Sequence, residues 1–242
     1  MSANFDVEAV IAGRRIPWPE LLAWEDRRID VSAAKLGVAV PAAADVATRR
    51  AALVDMKMNL GADAILQRFA GQLSQADRIG RLVATLTSGR AFVTAELNIT
   101  GGSGAHLVQW FDAQVQGDEQ AAMVAACPDH YVLRTGVDGV QQVVQATGAS
   151  PMLNQFFLTY GSEVGLANPR APGYANEIVA SAQLLDGTLV GGARMQFRDT
   201  TRGFFARLIE EFPRSTPPNM IRQQRWHTAT EFANWARAAH AS

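Results

Sequence analysis

The sequence contains few cysteine, histidine and lysine residues. Its 242 residues include one cysteine, four histidines and two lysines, Lys35 and Lys57. A single cysteine excludes a disulfide within the chain, and it also excludes a zinc finger or a cysteine-rich metal cluster. A bound metal must therefore use histidine together with aspartate or glutamate. Cys127 is expected to be a buried free thiol, which is typical of a reducing cytoplasm.

The sequence also lacks net charge and long apolar runs. With 22 basic and 23 acidic residues, the net charge is −1. No excess of cationic side chains is present to neutralise phosphates, so we expect no nucleic-acid partner. No window approaches the roughly 18 to 20 apolar residues of a membrane span, and the acidic start at Asp6 and Glu8 is unlike a signal peptide. We expect a cytoplasmic protein that does not bind membranes.

The apolar residues make up 48% of the chain, enough for a sizeable core. Their pattern changes near residues 88–89. Before this point they recur at the three-to-four spacing of amphipathic helices, as in residues 65–73. After it, residues 92–99 alternate and are rich in strand-forming types. The sequence therefore predicts a helical N-terminal region, residues 1–89, followed by an α+β domain, residues 90–242.

The second region has a strand, a helix, a run of strands and a long final helix. A glycine-rich turn at residues 101–104 separates the first strand from the helix. Further strands are predicted at residues 130–133, 139–146, 156–164, 177–185, 189–197 and 203–212. Asp186-Gly187 is a hairpin signal, and the final helix is predicted at residues 218–239. This order is typical of a curved antiparallel sheet around a long C-terminal helix, the helix-grip or Bet v 1-like arrangement, with an apolar cavity between them.

His227 and Glu231 form the sharpest local motif, because residues four apart share one face of a helix. An imidazole and a carboxylate at this spacing can bind one metal ion. They can equally form an ordinary surface pair worth about 0.2 to 0.5 kcal/mol. Further ligands would come from the sheet, where the candidates are Glu163 and His130.

The motifs of residues 90–240 resemble the diacetylphloroglucinol hydrolases, zinc-dependent enzymes that cleave a carbon–carbon bond between an aromatic ring and an acyl group. The first strand, the glycine turn and the helix with Trp110-Phe111 are similar in order to those of the family. Tyr131 matches a substrate-binding tyrosine of the family. His227 and Glu231 match its His-x-x-x-Glu pair.

The resemblance implies a zinc site with Glu163, His227 and Glu231 as ligands, because Glu163 is similar to the family's carboxylate ligand from the sheet. The sequence departs from the pattern at Gly139, where the family has a further histidine ligand. His130 or Asp138 would then serve as a substitute. A site with three protein ligands leaves a position open for water, as catalytic zinc requires.

The implied reaction also requires a general acid to protonate the ring carbon. The candidates for this catalytic role are Tyr131, Tyr160 and His130, and the substrate is expected to be a small aromatic or polyketide-like molecule. Each tyrosine can instead be a core residue with a satisfied hydroxyl group.

Two other functions fit the same residues. The first is a metal-free lyase, dehydratase or isomerase in a conical α+β barrel, of the NTF2-like or polyketide-cyclase-like type. The second is a protein that binds an apolar ligand without turnover, because the residues that line a cavity are alike in a binder and an enzyme. A homo-oligomer is also expected, since Trp18, Trp24 and Trp235 would suit a subunit interface if they are exposed.

Overall fold

The computed structural model describes residues 5–86 and 88–242. The described residues form nine strands and six α-helices in the following order: β1 (Asp6–Ile11), β2 (Arg14–Pro17), α1 (Trp18–Leu36), α2 (Val46–Leu60), α3 (Ala62–Leu86), β3 (Arg90–Thr100), α4 (Gly104–Gln116), α5 (Gln120–Val124), β4 (His130–Thr135), β5 (Gln141–Gln145), β6 (Asn154–Tyr160), β7 (Asn176–Gln183), β8 (Leu189–Thr200), β9 (Gly203–Pro213) and α6 (Pro218–Ala241). A short 3-10 turn, Thr147–Ala149, lies between β5 and β6.

All nine strands belong to one antiparallel sheet, in the order β2-β1-β3-β9-β8-β7-β6-β5-β4. The chain therefore has the α+β architecture that the sequence predicts. The C-terminal helix α6 packs against β3 and β1. Apolar side chains from the sheet, α4 and α6 form the main core. A second core lies between α1, α2, α3 and the β4–β5 edge of the sheet.

Local sequence signals explain where several helices start. Asp45 precedes α2 and its carboxylate accepts a hydrogen bond from the Thr48 amide at 2.8 Å, which satisfies one of the free amides of the first turn. Ser103 does the same for the His106 amide at the start of α4. Proline residues open α1 and α6, where a missing amide hydrogen has no cost.

The N-terminal region, residues 1–89, is not entirely helical as predicted, because it begins with a β-hairpin. Strands β1 and β2 pair through a turn at Ala12-Gly13. Both turn residues have positive φ, at 52° and 77°, which is characteristic of a tight hairpin turn. Strand β1 also pairs with β3, and its apolar side chains join the main core. Residues 1–4 and Thr87, within the predicted region, lie outside the described residues.

The exposure that a subunit interface would require of Trp18, Trp24 and Trp235 is not found for two of them. Trp24 is 5% exposed and Trp235 is 3% exposed, so both belong to the protein interior. Trp18 is half-buried, and the guanidinium group of Arg237 lies 4.6 Å from the centre of its ring. Among the described helices, none combines the length and apolar character needed to cross a membrane.

Candidate metal and catalytic site

His227 and Glu231 lie one turn apart on α6, as their spacing predicts. The Nε2 atom of His227 is 3.3 Å from the Oε2 atom of Glu231. The His227 side chain is fully buried, and only 13% of the Glu231 side chain is exposed. The pair is therefore inside the protein, and the alternative of a solvent-exposed helix pair is wrong.

His130, the first residue of β4, completes a group of three. Its Nε2 atom lies 3.1 Å from Nε2 of His227 and 3.8 Å from Oε2 of Glu231. Strand β4 delivers this side chain to α6 although the two elements are far apart in sequence. Two imidazole nitrogens and one carboxylate oxygen thus converge, and the indole ring of Trp235 stacks beside the His130 ring.

The opposite edge of the His130 ring determines which nitrogen carries its hydrogen. Nδ1 lies 3.3 Å from the carbonyl oxygen of Met123. A carbonyl only accepts hydrogen bonds, so Nδ1 must donate and Nε2 keeps its lone pair when the ring is neutral. Burial lowers the pKa of His130 well below its usual value, and the nearby charges of His227 and Lys57 add to this effect. His130 is therefore neutral at physiological pH.

The opposite edge of the His227 ring faces a different pair of groups. Its Nδ1 atom is 3.4 Å from Sγ of Cys127 and 3.8 Å from Oδ2 of Asp129. Burial lowers the pKa of His227, but the interactions with Cys127, Asp129 and Glu231 outweigh burial and raise it well above the usual value. In the absence of another cation, both nitrogens of the His227 ring are therefore protonated, and the ring is positively charged.

Asp129 is fully buried, and it forms an ion pair with Arg28. The guanidinium Nε is 3.0 Å from both carboxylate oxygens, and Nη2 is 2.6 Å from Oδ1. Burial raises the pKa of Asp129, but the hydrogen bonds from His227 and Arg28 outweigh this effect and lower it. The carboxylate is therefore ionised, and it can orient the His227 ring from behind.

A metal ion could be held in this cluster. Cys127, His130 and His227 are buried, and one ligand atom of each lies within 4.8 Å of the others. Cys127 is a free thiol, as predicted, and burial raises its pKa. Its sulfur lies against Nδ1 of His227, whereas His130 and Glu231 lie against Nε2. The sulfur and these two side chains thus contact different nitrogens of the His227 ring.

An apolar cavity of about 350 Å³ lies beside the cluster. His130 and Glu231 line it, and so do the aromatic rings of Phe111 and Trp235. Most of the remaining lining is aliphatic or aromatic. A volume of this size suits a small organic molecule, and two ionisable side chains of the wall, His130 and Glu231, belong to the cluster.

Glu210 of β9 also lines the cavity. Thr228 donates its hydroxyl hydrogen to Oε1, and the amide of Gln224 donates to Oε2 at 3.0 Å. Burial and the negative charge of Glu231 raise the pKa of Glu210 to about 7, against the opposing effect of His227 and the two hydrogen bonds. The carboxyl group can therefore exchange a proton near neutral pH.

The structure separates the two predicted catalytic tyrosines. Tyr160 lines the cavity and donates to Oε1 of Gln141 at 2.8 Å. Tyr131 is not among the residues of the cavity wall; it donates to Ser32 in the second core. Burial raises the pKa of both hydroxyl groups. Because β4 points Tyr131 away from its neighbour His130, the structure does not bring Tyr131 to the cluster.

Glu163 is also not brought to the cluster. It follows β6, which ends at Tyr160, before the predicted end of this strand. Its side chain is 61% exposed, and its carboxylate pairs with Arg194 at 2.8 Å. The other suggested substitute ligand, Asp138, lies in the turn before β5 and accepts the Val140 amide. Only His227, Glu231 and His130 come together among the residues predicted as ligands.

Sequence reasoning missed Glu210 and Asp129. Asp129 precedes His130, but nothing in the sequence shows that it faces α6. Glu210 is followed by Glu211, which also lines the cavity but whose carboxylate accepts hydrogen bonds from the backbone amides of Ala167 and Asn168. The only available signal was a charged residue within an apolar strand, and this signal cannot distinguish the two glutamates without the position of the helix.

Comparison with protein-family models and with curated proteins found no match for this chain. The resemblance to the diacetylphloroglucinol hydrolases thus stays a prediction based on the order of the motifs.

Proposed function

We propose that the protein is a zinc-dependent enzyme that hydrolyses the carbon–carbon bond between an aromatic ring and an acyl group. In this proposal His130, His227 and Glu231 hold the metal. The observation that carries it is the convergence of one atom from each of these side chains at the edge of an apolar cavity.

The distances between the three atoms suit a four-coordinate ion. Ligand atoms about 2.0 to 2.1 Å from zinc at tetrahedral angles lie about 3.3 Å from one another. The separations here are 3.1, 3.3 and 3.8 Å. Two imidazoles and a glutamate are also a ligand set of catalytic zinc sites, which keep a fourth position for water or substrate.

The contacts at the Nδ1 edges of the two histidine rings also support His130 and His227 as metal ligands. The Met123 carbonyl requires a hydrogen on Nδ1 of His130, and the Asp129 carboxylate favours one on Nδ1 of His227. With no proton on Nε2 of His227, both rings would direct a lone pair towards the Glu231 carboxyl group, and a cation must then lie between these atoms. In the proposed function that cation is the metal ion. One ligand atom from each of Cys127, His130 and His227 lies within 4.8 Å of the others, whereas the set with Glu231 has separations of 3.1 to 3.8 Å, so we favour Glu231 as the third ligand.

The remaining residues bind and orient the substrate. A zinc ion in this site would polarise a ketone oxygen and lower the pKa of an adjacent water to about 7. The rings of Phe111 and Trp235 provide flat apolar walls for an aromatic substrate, and they exclude bulk water from the bond that breaks. Tyr160 is placed to accept a hydrogen bond from a substrate hydroxyl while it donates to Gln141.

Metal analysis and activity measured on the same sample test the proposal. Acylphenols such as diacetylphloroglucinol are incubated with the purified protein, and release of the carboxylic acid is followed. We expect about one zinc ion per chain, loss of activity with a chelator and recovery when zinc is added. Full hydrolysis by metal-free protein would contradict the proposal, and activity that requires iron and oxygen would indicate an oxygenase instead.

A metal-free acid–base enzyme, a lyase, dehydratase or isomerase, is the second candidate. It is favoured by the raised pKa of His227, because a proton on this ring can also neutralise Glu231 and Asp129. For this candidate, turnover would be insensitive to chelators and would disappear in His227→Gln.

Three broader features belong to the same proposal. The packing of α6 on the sheet, with the cavity beside it, supports a helix-grip or Bet v 1-like arrangement. The single buried cysteine supports a cytoplasmic location. The expected partner is a small aromatic molecule.

A further inference from the structure

Glu210 occupies an unusual position in the sheet. Its direct neighbours across the two strand pairs are Val93 of β3 and Ala193 of β8, which carry no charge. Helix α6 covers it with Thr228 and Gln224, and the charged groups of α6 nearest to it are Glu231 and His227. Its side chain forms part of the cavity wall. The carboxyl group is therefore presented to any molecule in the cavity by a rigid strand.

Within the described part of the chain, Glu210 also differs from the other interior carboxylates in having no ion pair, whereas Glu231 pairs with His227. Asp129 pairs with Arg28 and Glu25 pairs with Arg50. Among the ion pairs of the described residues, none involves Glu210. An interior carboxylate is normally paired with a cation, because an isolated buried charge is costly. The environment of Glu210 is thus typical of a carboxyl group that gains and loses a proton, and not of one that only stabilises the fold.

We propose that Glu210 is the catalytic acid and base of the cavity, and that it delivers a proton to the ring carbon from which the acyl group departs. This inference rests on the proposed function. The carboxylic acid gives its proton to the ring carbon as the carbon–carbon bond breaks. The resulting carboxylate takes a proton from the water whose oxygen bonds to the acyl carbon. The net reaction adds the hydrogen of water to the ring and its hydroxyl to the acyl group, and Glu210 is regenerated.

The four other ionisable groups of the cavity wall are less suited to this role. Glu231 faces His227 and His130, and the carboxylate of Glu211 accepts hydrogen bonds from the backbone amides of Ala167 and Asn168. Tyr160 already donates its hydroxyl hydrogen to Gln141, and burial raises its pKa. His130 has Nδ1 committed to the Met123 carbonyl and Nε2 directed at His227. Glu210 uses its two oxygens only as acceptors, from Thr228 and Gln224. It is therefore free to hold a further proton.

Hydrogen–deuterium exchange at the ring of a phenol tests the inference directly. Resorcinol is the probe, because its ring carbons are electron-rich and exchange requires only an acid and a base. Proton NMR in deuterated buffer measures the exchange rate with wild-type protein, Glu210→Gln and the control Glu96→Gln, which changes an exposed glutamate of β3. We expect wild type and the control to accelerate exchange equally, and Glu210→Gln to be about 100-fold slower or worse.

Exchange by Glu210→Gln at the wild-type rate, or no acceleration by wild type, would overturn the inference. If Glu210→Gln does not fold, Thr228→Val is measured instead. This variant removes one hydrogen bond to the carboxyl group but keeps the acid, so its exchange rate should differ from that of wild type. Zinc content and acylphenol hydrolysis are measured separately. Absence of zinc and of hydrolysis overturns the proposed function. Exchange at the resorcinol ring, measured on metal-free protein, still decides the role of Glu210.

Discussion

The Nε2 atoms of His130 and His227 lie 3.1 Å apart, although 97 positions separate the two residues in sequence. Each ring is anchored from its other edge, His130 by the Met123 carbonyl and His227 by Cys127 and Asp129. The contact therefore places two imidazoles with their Nε2 atoms directed at each other and at Glu231. A shared proton or a metal ion can satisfy this arrangement, and the predictions below distinguish the two.

Zinc affinity should rise with pH. The raised pKa of His227 means that this ring is protonated in the metal-free protein at neutral pH. Zinc must displace that proton, so affinity increases about tenfold per pH unit up to the pKa of His227 and then levels off. Competition titrations with a chelating dye between pH 6 and 9 measure this slope. Affinity that is independent of pH over the whole range would contradict ligation by His227.

Asp129→Asn should weaken metal binding about 10- to 100-fold, because the aspartate orients a ligand ring from behind. It should also destabilise the protein by about 3 to 5 kcal/mol, because Arg28 loses its buried partner. Glu25→Gln is the matched control: Glu25 is also fully buried and paired with an arginine, Arg50. Urea unfolding should show a similar loss of stability for the two variants. Equal loss of metal affinity in both would indicate a general effect of instability.

Glu163→Gln should leave zinc content and activity unchanged. The carboxylate of Glu163 is largely exposed and pairs with Arg194, so its loss should cost about 0 to 1 kcal/mol of stability. Glu231→Gln, the same change at the cluster, should abolish both zinc binding and hydrolysis. Elemental analysis of the two purified variants provides the comparison, and loss of zinc in Glu163→Gln would restore Glu163 as a ligand.

Lys57→Met should destabilise the protein and disturb the cluster. The buried ammonium of Lys57 donates to the carbonyl oxygens of Pro128 and His130. Without it these carbonyls lose a buried partner, which costs about 1 to 3 kcal/mol. Lys35→Met is the control, because Lys35 donates to the exposed Pro151 carbonyl. Thermal melting and zinc titration should separate the two variants, and equal behaviour would show that Lys57 has no special role.

Much of the fold could be predicted from local signals. The alternation in β3, the hairpin at Asp186-Gly187 and the long final helix α6 depend on neighbours in sequence, and each is confirmed. The β1–β2 hairpin was missed because its two strands are short and its register depends on pairing with β3. Such pairing is a tertiary interaction that sequence periodicity does not encode.

The site could be predicted only in part. The spacing of His227 and Glu231 identifies one helix face, and this pair does come together. Its further neighbours depend on which face of each strand is turned towards α6. His130 lines the cavity whereas its neighbour Tyr131 packs in the second core, and the pairing of β4 is irregular between His130 and Val132. The position of Glu163 depends on a loop, which has no periodicity to read.

The most direct test of the metal site is anomalous diffraction at the zinc edge from crystals of the zinc-loaded protein. We predict one peak about 2.0 to 2.2 Å from Nε2 of His130, Nε2 of His227 and a carboxylate oxygen of Glu231. A peak bound to Sγ of Cys127 on the other edge of the His227 ring, or zinc-loaded crystals without a peak in the cluster, would contradict the account.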